Sequence, residues 1–221
     1  ITRRRGVSIN IVGCNKGGAS KSTTATNLAV GLTKGGADVC LVDADPQRSA
    51  AKWYADREAA GLKSSITLIE IRDNISATLR SLDGRFDHVI VDVAGKNSRE
   101  MITGSTVAHQ IIAPHQCSQF DLDTLEELQL QVVNVRDINP ELKVWVYHAM
   151  ASTHSQVKDS ERAEFLGYLS AFPEFQVLES ISFSRKVYKD AASLGRSVLE
   201  VRKNEAQDEV RALLKEVFNH G

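Results

Sequence analysis

The sequence predicts an α/β fold with a doubly wound, mostly parallel sheet and helices on both faces. Short runs rich in β-branched residues alternate with longer stretches of helical periodicity. These short runs are mostly apolar, which is typical of parallel strands buried on both sides. Together the two observations predict strands joined by crossover helices.

The individual elements follow this rhythm along the chain. The predicted strands are Val7–Val12, Val39–Val42, Thr67–Ile71, His88–Val91, Gln110–Ala113 and Val144–Tyr147. The predicted helices are Lys21–Lys34, Pro46–Ala60, Ile75–Leu82, Leu122–Ile138 and Ser155–Leu169, with a further amphipathic helix in Arg202–Gly221. No repeat or linker interrupts this order, so we expect residues 1–221 to form a single domain.

Composition narrows the functional classes. The chain of 221 residues is 42% hydrophobic and 25% charged, which is ordinary for a globular protein. Its net charge of −1 means that any contact with a polyanion needs a local basic patch. Cys14, Cys40 and Cys117 show no metal-site spacing, and we find neither a signal peptide nor an apolar run of about 20 residues. We therefore expect a cytoplasmic protein.

A glycine-rich turn between the first strand and the first helix is typical of a polyphosphate-binding loop. This phosphate loop, residues 13–23, reads Gly-Cys-Asn-Lys-Gly-Gly-Ala-Ser-Lys-Ser-Thr. Backbone N–H groups at such a turn and at the helix N-terminus converge on an anion. Lys21 would reach the β- and γ-phosphates, and Ser22 would place its hydroxyl on Mg²⁺. The predicted nucleotide-binding residues are Gly17, Gly18, Ala19, Ser20, Lys21, Ser22 and Thr23.

The loop departs from the standard GxxxxGK[ST] pattern. Asn15 and Ser20 occupy its two glycine positions, and a second lysine, Lys16, stands at the front. If the Ser20 position needs a positive φ, a serine there costs about 1 kcal/mol.

Acidic residues end two of the predicted strands. Asp43 and Asp45 follow the second strand, and Asp92 ends the fourth. Carboxylates at this end of parallel strands face the ligand crevice. Ser22, Asp43 and Asp92 are therefore predicted to hold Mg²⁺, the carboxylates through water, and Asp45 to orient the attacking water. Alternatively, Asp45 is a helix N-cap and Asp92 a plain strand-end acid.

The combination of these motifs resembles the deviant Walker A class of P-loop NTPases, the ParA/MinD superfamily. The two lysines of the loop carry the resemblance, with Asp43-Ala44-Asp45-Pro46-Gln47 and Asp92-Val93-Ala94-Gly95. Further segments, Arg185–Tyr188 and Gly195–Val198, are similar to small type Ib ParA plasmid-partition ATPases, which lack an N-terminal DNA-reading domain. We expect no such domain here.

The resemblance implies a weak ATPase that uses ATP and Mg²⁺. Lys16, Lys21 and Asp45 would be catalytic, with Lys16 crossing a dimer interface to the partner's nucleotide. ATP would then hold a homodimer together and hydrolysis would loosen it. The implied partners are a centromere-binding adaptor of the ParB or ParG kind and nonspecific duplex DNA of the nucleoid, with no membrane.

The candidate DNA surface is basic. It comprises Arg185, Lys186, Lys189, Arg196, Arg202 and Lys203, to which the N-terminus adds Arg3, Arg4 and Arg5. A solvated face is the plainer interpretation, and Arg185 could instead face the nucleotide or the dimer seam.

Two other functional classes compete. A MinD-like or cargo-positioning ATPase would act on a membrane or a protein scaffold, but the mixed charges of Arg202–Gly221 favour a helix packed on the core. A metabolic or redox enzyme of this fold would need a second-substrate pocket, or more cluster-binding cysteines than Cys117 alone. The adenine is expected near Met150–Ser152.

Overall fold

Seven strands form one parallel sheet in the computed structural model, which describes residues 9–18, 20–62, 65–95, 98–117 and 121–218. The strands are β1 (Ile9–Val12), β2 (Val39–Ala44), β3 (Ile66–Glu70), β4 (His88–Val93), β5 (Gln110–His115), β6 (Lys143–Ala151) and β7 (Gln176–Phe183). Their order is β3-β2-β4-β1-β5-β6-β7, and every neighbouring pair is parallel. The predicted parallel sheet is confirmed.

Helices cover both faces of this sheet. They are α1 (Lys21–Lys34), α2 (Ser49–Ala59), α3 (Ser76–Asp83), α4 (Arg99–Ser105), α5 (Asp121–Arg136), α6 (Ser155–Leu169), α7 (Lys186–Ala192) and α8 (Glu205–Phe218), with a 3₁₀ turn at Val198–Glu200. Successive strand residues feed opposite cores. Val89 and Val91 join the core under α3 to α6, whereas Ile90 joins the core under α1, α2 and α8. This arrangement confirms the doubly wound fold.

Predicted and observed elements differ mainly at the ends and at one edge of the sheet. Helices α1 and α6 have the predicted bounds, but α2 begins at Ser49 instead of Pro46, because residues 45–47 form a turn. The sequence prediction missed β7, α4 and α7. The two helices have only 7 residues each, and β7 is an edge strand of mixed polarity.

The terminal helix packs on the core, as predicted. It begins at Glu205, so Arg202 and Lys203 precede it, and Asn204 Oδ1 accepts the N–H of Gln207 at 3.2 Å. Its apolar face, which includes Val210, Leu213 and Val217, is buried. Among the described helices, none is long and apolar enough to cross a membrane.

Candidate nucleotide-binding site

The phosphate loop opens into a cavity at the carboxyl end of the central strand. β1 lies between β4 and β5, where the direction of strand addition reverses and open α/β sheets place their ligands. The cavity has a volume of about 660 Å³. One wall comes from the phosphate loop and the Asp45–Gln47 turn, and the opposite wall comes from β7, α7 and α8.

The backbone of the phosphate loop adopts the unusual conformation that the sequence indicated. Ser20 has φ 61° and ψ 22°, which is left-handed, and Gly18 has φ 76°. The expected strain at Ser20 is therefore present, about 1 kcal/mol for a residue with a side chain. Ala19 lies outside the described residues. Backbone strain of this kind clusters at ligand-binding turns.

Lys21 points back across its own loop. Its buried ammonium donates to the carbonyl oxygen of Lys16 at 2.6 Å, which uses one of three donors. Gly95, after β4, closes the same space: a Cβ there would lie 2.7 Å from the Lys16 oxygen and 2.8 Å from Lys21 Nζ. A side chain at position 95 would therefore displace Lys21 or the Lys16 carbonyl, and glycine avoids this clash.

Asp92 is a buried carboxylate, and neither oxygen has a hydrogen bond of ordinary geometry to a described residue, although the Ser22 hydroxyl is close enough to affect its pKa. Burial, reinforced by the charges of Asp43 and Asp45, raises its pKa to about 7, while Ser22 and Lys21 act in the opposite direction. Buried polar groups are rarely left unpaired, and Mg²⁺ prefers oxygen ligands such as carboxylate and hydroxyl. The residues at this position fit a magnesium ion.

Asp43 stands beside Asp92 in the sheet register but is used differently. Its carboxylate accepts the N–H of Ala51 at 2.8 Å and the N–H of Asp45 at 3.1 Å, so it ties α2 and the turn to β2. Its predicted place in the metal shell stays a prediction.

Asp45 is half-buried in the cavity wall. Its Oδ1 accepts the N–H of Gln47 at 2.8 Å, which shapes the turn. The residue before α2 is Arg48, so Asp45 is not the N-cap of that helix. Its role towards an attacking water stays a prediction.

Gln116 and Met150 lie together near the expected adenine position, a contact that the sequence did not predict. Gln116, directly after β5, donates to the Gly18 carbonyl at 3.2 Å, and its Nε2 lies 3.1 Å from Met150 Sδ. Met150 lines the cavity with φ 56°, where the pairing of β6 with β7 is irregular. The available signal for Gln116 was its place at the end of a central strand.

The predicted DNA-binding residues fall into two groups. Arg185 lines the cavity and pairs with Glu205 and Glu209, which favours the alternative that it faces the nucleotide. Arg196 is half-buried, with Nη1 3.4 Å from the Glu200 carbonyl. The remaining four are exposed: Lys186, Lys189, Arg202 and Lys203. Arg3, Arg4 and Arg5 lie outside the described residues.

Comparison with known proteins identifies the class. The family model for the ATPase MipZ matches residues 8–152. The chain belongs to this ATPase family and to the ParA/MinD superfamily that its phosphate loop resembles.

The curated relatives have partition or positioning names. Maintenance of carboxysome distribution protein A of Halothiobacillus neapolitanus is 29% identical over 92% of this chain and 93% of its own length. Its namesake in Gloeobacter kilaueensis is 36% identical over 51% of this chain, and Protein ParA of Rhizobium radiobacter is 31% identical over 56%. The chain spans 50% and 54% of the lengths of these last two relatives.

Solved structures share the fold. Apo McdA of Cyanothece superposes with a TM-score of 0.80 at 18% identity, covering 95% of this chain and 98% of that chain. Cobyrinic acid a,c-diamide synthase of Mycobacterium smegmatis, with a bound ATP analog and magnesium, reaches 0.69 at 22% identity, covering 84% and 93%. Since a metabolic enzyme shares this fold, the family match rather than the fold separates the functional classes.

Proposed function

We propose that this protein is an ATP- and Mg²⁺-dependent dimerising ATPase that segregates or positions DNA or a protein cargo. In the ATP state it binds nucleoid DNA without sequence preference, and a centromere-binding adaptor stimulates hydrolysis. The observation that carries the proposal is the unpaired, buried Asp92 carboxylate beside Ser22, at a phosphate loop with Lys21. Membership of an ATPase family supports it.

The residues of the site divide the work. The loop N–H groups and Lys21 would hold the β- and γ-phosphates, while Ser22 and Asp92 would hold Mg²⁺ with Asp43 close by. The metal, when bound, supplies positive charge against the developing charge of phosphoryl transfer. Asp45 would orient the water, and Lys16 would reach the partner subunit's nucleotide as a charge supplied in trans.

The cargo separates two versions of this function. Relatives named for carboxysome distribution favour a protein cargo, and relatives named ParA favour DNA. Action on a membrane has less support, because the apolar face of α8 is buried against the core.

Trapping the dimer tests the mechanism. Asp45→Ala should keep ATP and Mg²⁺ binding but slow hydrolysis by about 100-fold or more, because the water loses its orienting group. Gel filtration with ATP and Mg²⁺ should then show a persistent dimer. Lys21→Ala, which loses the phosphate contact, is the control and should stay monomeric. An Asp45→Ala monomer with normal turnover would refute the proposed role.

A further inference from the structure

The connection between β3 and α3 contacts the Asp45 turn through one side chain. Arg72 Nη1 donates to the carbonyl of Asp43, and to that of Ile71 at 2.7 Å. Its Nη2 donates to the carbonyl of Asp45 at 2.8 Å and lies 3.4 Å from Asp43 Oδ1. A single guanidinium therefore spans the turn from the end of β2 to Asp45.

The same connection is fixed on its other side to α4. Asp73 N–H donates to Glu100 Oε1 at 2.9 Å, and the Asp73 carbonyl lies 3.3 Å from Thr103 Oγ1, whose hydroxyl has the Arg99 carbonyl at 2.8 Å as its nearer acceptor. Thr103 Oγ1 also accepts the N–H of Ile75 at 3.2 Å. Asp73 has φ 69°, a conformation that persists only where the surroundings determine it strongly. The segment that carries Arg72 is therefore anchored to α4 by hydrogen bonds.

The other described hydrogen bonds of Asp45 are local. Its N–H donates to Asp43, its Oδ1 accepts from Gln47, and its carbonyl accepts from the Arg48 N–H at 2.8 Å. Among the described residues, Arg72 therefore supplies the hydrogen bond that joins Asp45 to a distant part of the chain. Without it, the turn would keep its contacts with Asp43 and the pair of Arg48 with Glu70, but Asp45 itself would have no described hydrogen bond to a distant residue.

We propose that Arg72 is a positioning residue for ATP hydrolysis. It fixes the turn so that the Asp45 carboxylate is oriented towards the attacking water. This inference rests on the proposed function. The planar fork of a guanidinium reaches several acceptors at once, which a lysine ammonium on a flexible stem does not reproduce. A displacement of about 1 Å in a catalytic group can cost on the order of 100-fold in rate.

Two variants and one matched control test the inference. Arg72→Gln removes the charge and the fork, and Arg72→Lys keeps the charge. Arg48→Gln is the control, because Arg48 pairs with Glu70 at 2.6 Å at the same sheet edge while its side chain makes no described contact with Asp45. Glu70 also lies 3.9 Å from Arg72 Nη2, so the variants at Arg48 and at Arg72 both change a pair with the same carboxylate.

The first measurement needs no nucleotide. Amide hydrogen exchange of Gln47, whose N–H donates to Asp45 Oδ1, should become about 10-fold faster or more in the nucleotide-free protein in Arg72→Gln, and less so in Arg72→Lys. The second is steady-state ATP hydrolysis, in which kcat should fall about 10- to 100-fold while KM changes less than about 3-fold. Arg48→Gln should match the wild type in both.

The outcomes separate the two proposals. Wild-type exchange rates and kcat in Arg72→Gln would overturn the role of Arg72. An increase in KM with unchanged kcat would also overturn it, because Arg72 would then act in binding. A wild type that hydrolyses no ATP would overturn the proposed function and the catalytic part of this inference together, whichever way the exchange result falls. If Arg72→Gln fails to fold, the same criteria apply to Arg72→Lys.

Discussion

Asp43 and Asp92 occupy the same register position on neighbouring strands, yet their carboxylates have different hydrogen-bond partners. Asp43 accepts two backbone N–H groups that arrive from the turn and from α2. Asp92 receives none from the described residues, and burial raises its pKa to about 7. The sequence could place both acids in the crevice, but it could not distinguish them, because the difference depends on which backbone groups fold over each one.

Asp92 makes the stability of the metal-free protein depend on pH. Its folded pKa of about 7 lies above its ordinary value near 4, so between these values the folded state binds a proton that the unfolded state has released. Stability is therefore lost as pH rises from about 4 to about 7, and this contribution is constant above the folded pKa. Asp92→Asn removes this loss, and we expect its advantage over wild type to grow by up to a few kcal/mol between pH 5 and pH 8.

Urea unfolding without Mg²⁺, at both pH values, measures this effect. Asp208→Asn is the control, since that carboxylate lies on the exposed side of α8 with a side chain 73% exposed. Its difference from wild type should be the same at both pH values. A constant difference for Asp92→Asn as well would show that Asp92 is ionised in the folded protein throughout this range.

At the scale of elements, the sequence predicted the strands that are buried along their whole length and the long helices. The central strands and α1 were found because continuous apolar runs and long helical periodicity are strong local signals. β7 and α7 were missed, although they supply the far wall of the cavity. Their form depends on neighbours such as Glu209, which accepts the N–H of Phe183 at 3.0 Å and the hydroxyl of Tyr188 at 2.8 Å.

The Gly195–Glu200 segment connects the two helices that follow the phosphate loop and the Asp45 turn. Asn27 Oδ1, on α1, accepts the Ser197 hydroxyl at 2.6 Å. Arg57, on α2, pairs with both oxygens of Glu200 at 2.7 Å and donates to the Gly195 carbonyl at 3.1 Å. The sequence indicated this segment only by resemblance, because its partners lie about 140 to 170 residues away.

Gly195→Ala should destabilise the protein by at least about 2 kcal/mol. Gly195 has φ 63°, and an added Cβ would lie 2.2 Å from the backbone nitrogen of Arg57, which cannot move without shifting α2. Gly61→Ala separates the two causes, because Gly61 has φ 66° with no atom within 4 Å of the new Cβ. Its cost should be about 1 kcal/mol. Equal shifts of the two variants in urea unfolding would contradict the close contact.

At the scale of the whole molecule, the fold explains why separate motifs meet. The phosphate loop and Asp45 follow β1 and β2, and Asp43 and Asp92 lie near the carboxyl ends of β2 and β4. In a parallel sheet these strand ends lie on the same side. Sequence motifs were therefore enough to predict this half of the site. The basic residues follow no such rule: Arg185 is half-buried and paired with Glu205 and Glu209, while Arg202 and Lys203 are exposed.

The proposed DNA binding would depend on dimerisation, because the chain has a net charge of −1 and Arg185 of the candidate surface is paired with acidic residues. Two linked patches make the second engagement intramolecular, so ATP-loaded protein should bind duplex DNA far more tightly than the nucleotide-free form. Replacing both Arg202 and Lys203 by alanine removes four cations per dimer. If each contacts a phosphate, the slope of log K against log salt should fall by about 3 to 4, equally on all sequences.

Filter binding at several salt concentrations, with ATP present, measures this slope. The control replaces Arg80 and Arg85, which are exposed at the end of α3 and just after it, and α3 packs on the opposite face of the sheet. That variant changes the net charge by the same amount as the Arg202 and Lys203 variant. If DNA contacts the Arg202 and Lys203 surface, the slope of the control should stay near wild type. If only net charge matters, the slope should fall by the same amount in both variants. An unchanged slope in the Arg202 and Lys203 variant, with intact dimerisation, would place the DNA surface elsewhere. If the wild type does not bind DNA with ATP at low salt, the proposed binding to nucleoid DNA is wrong. That result would favour positioning on a protein scaffold.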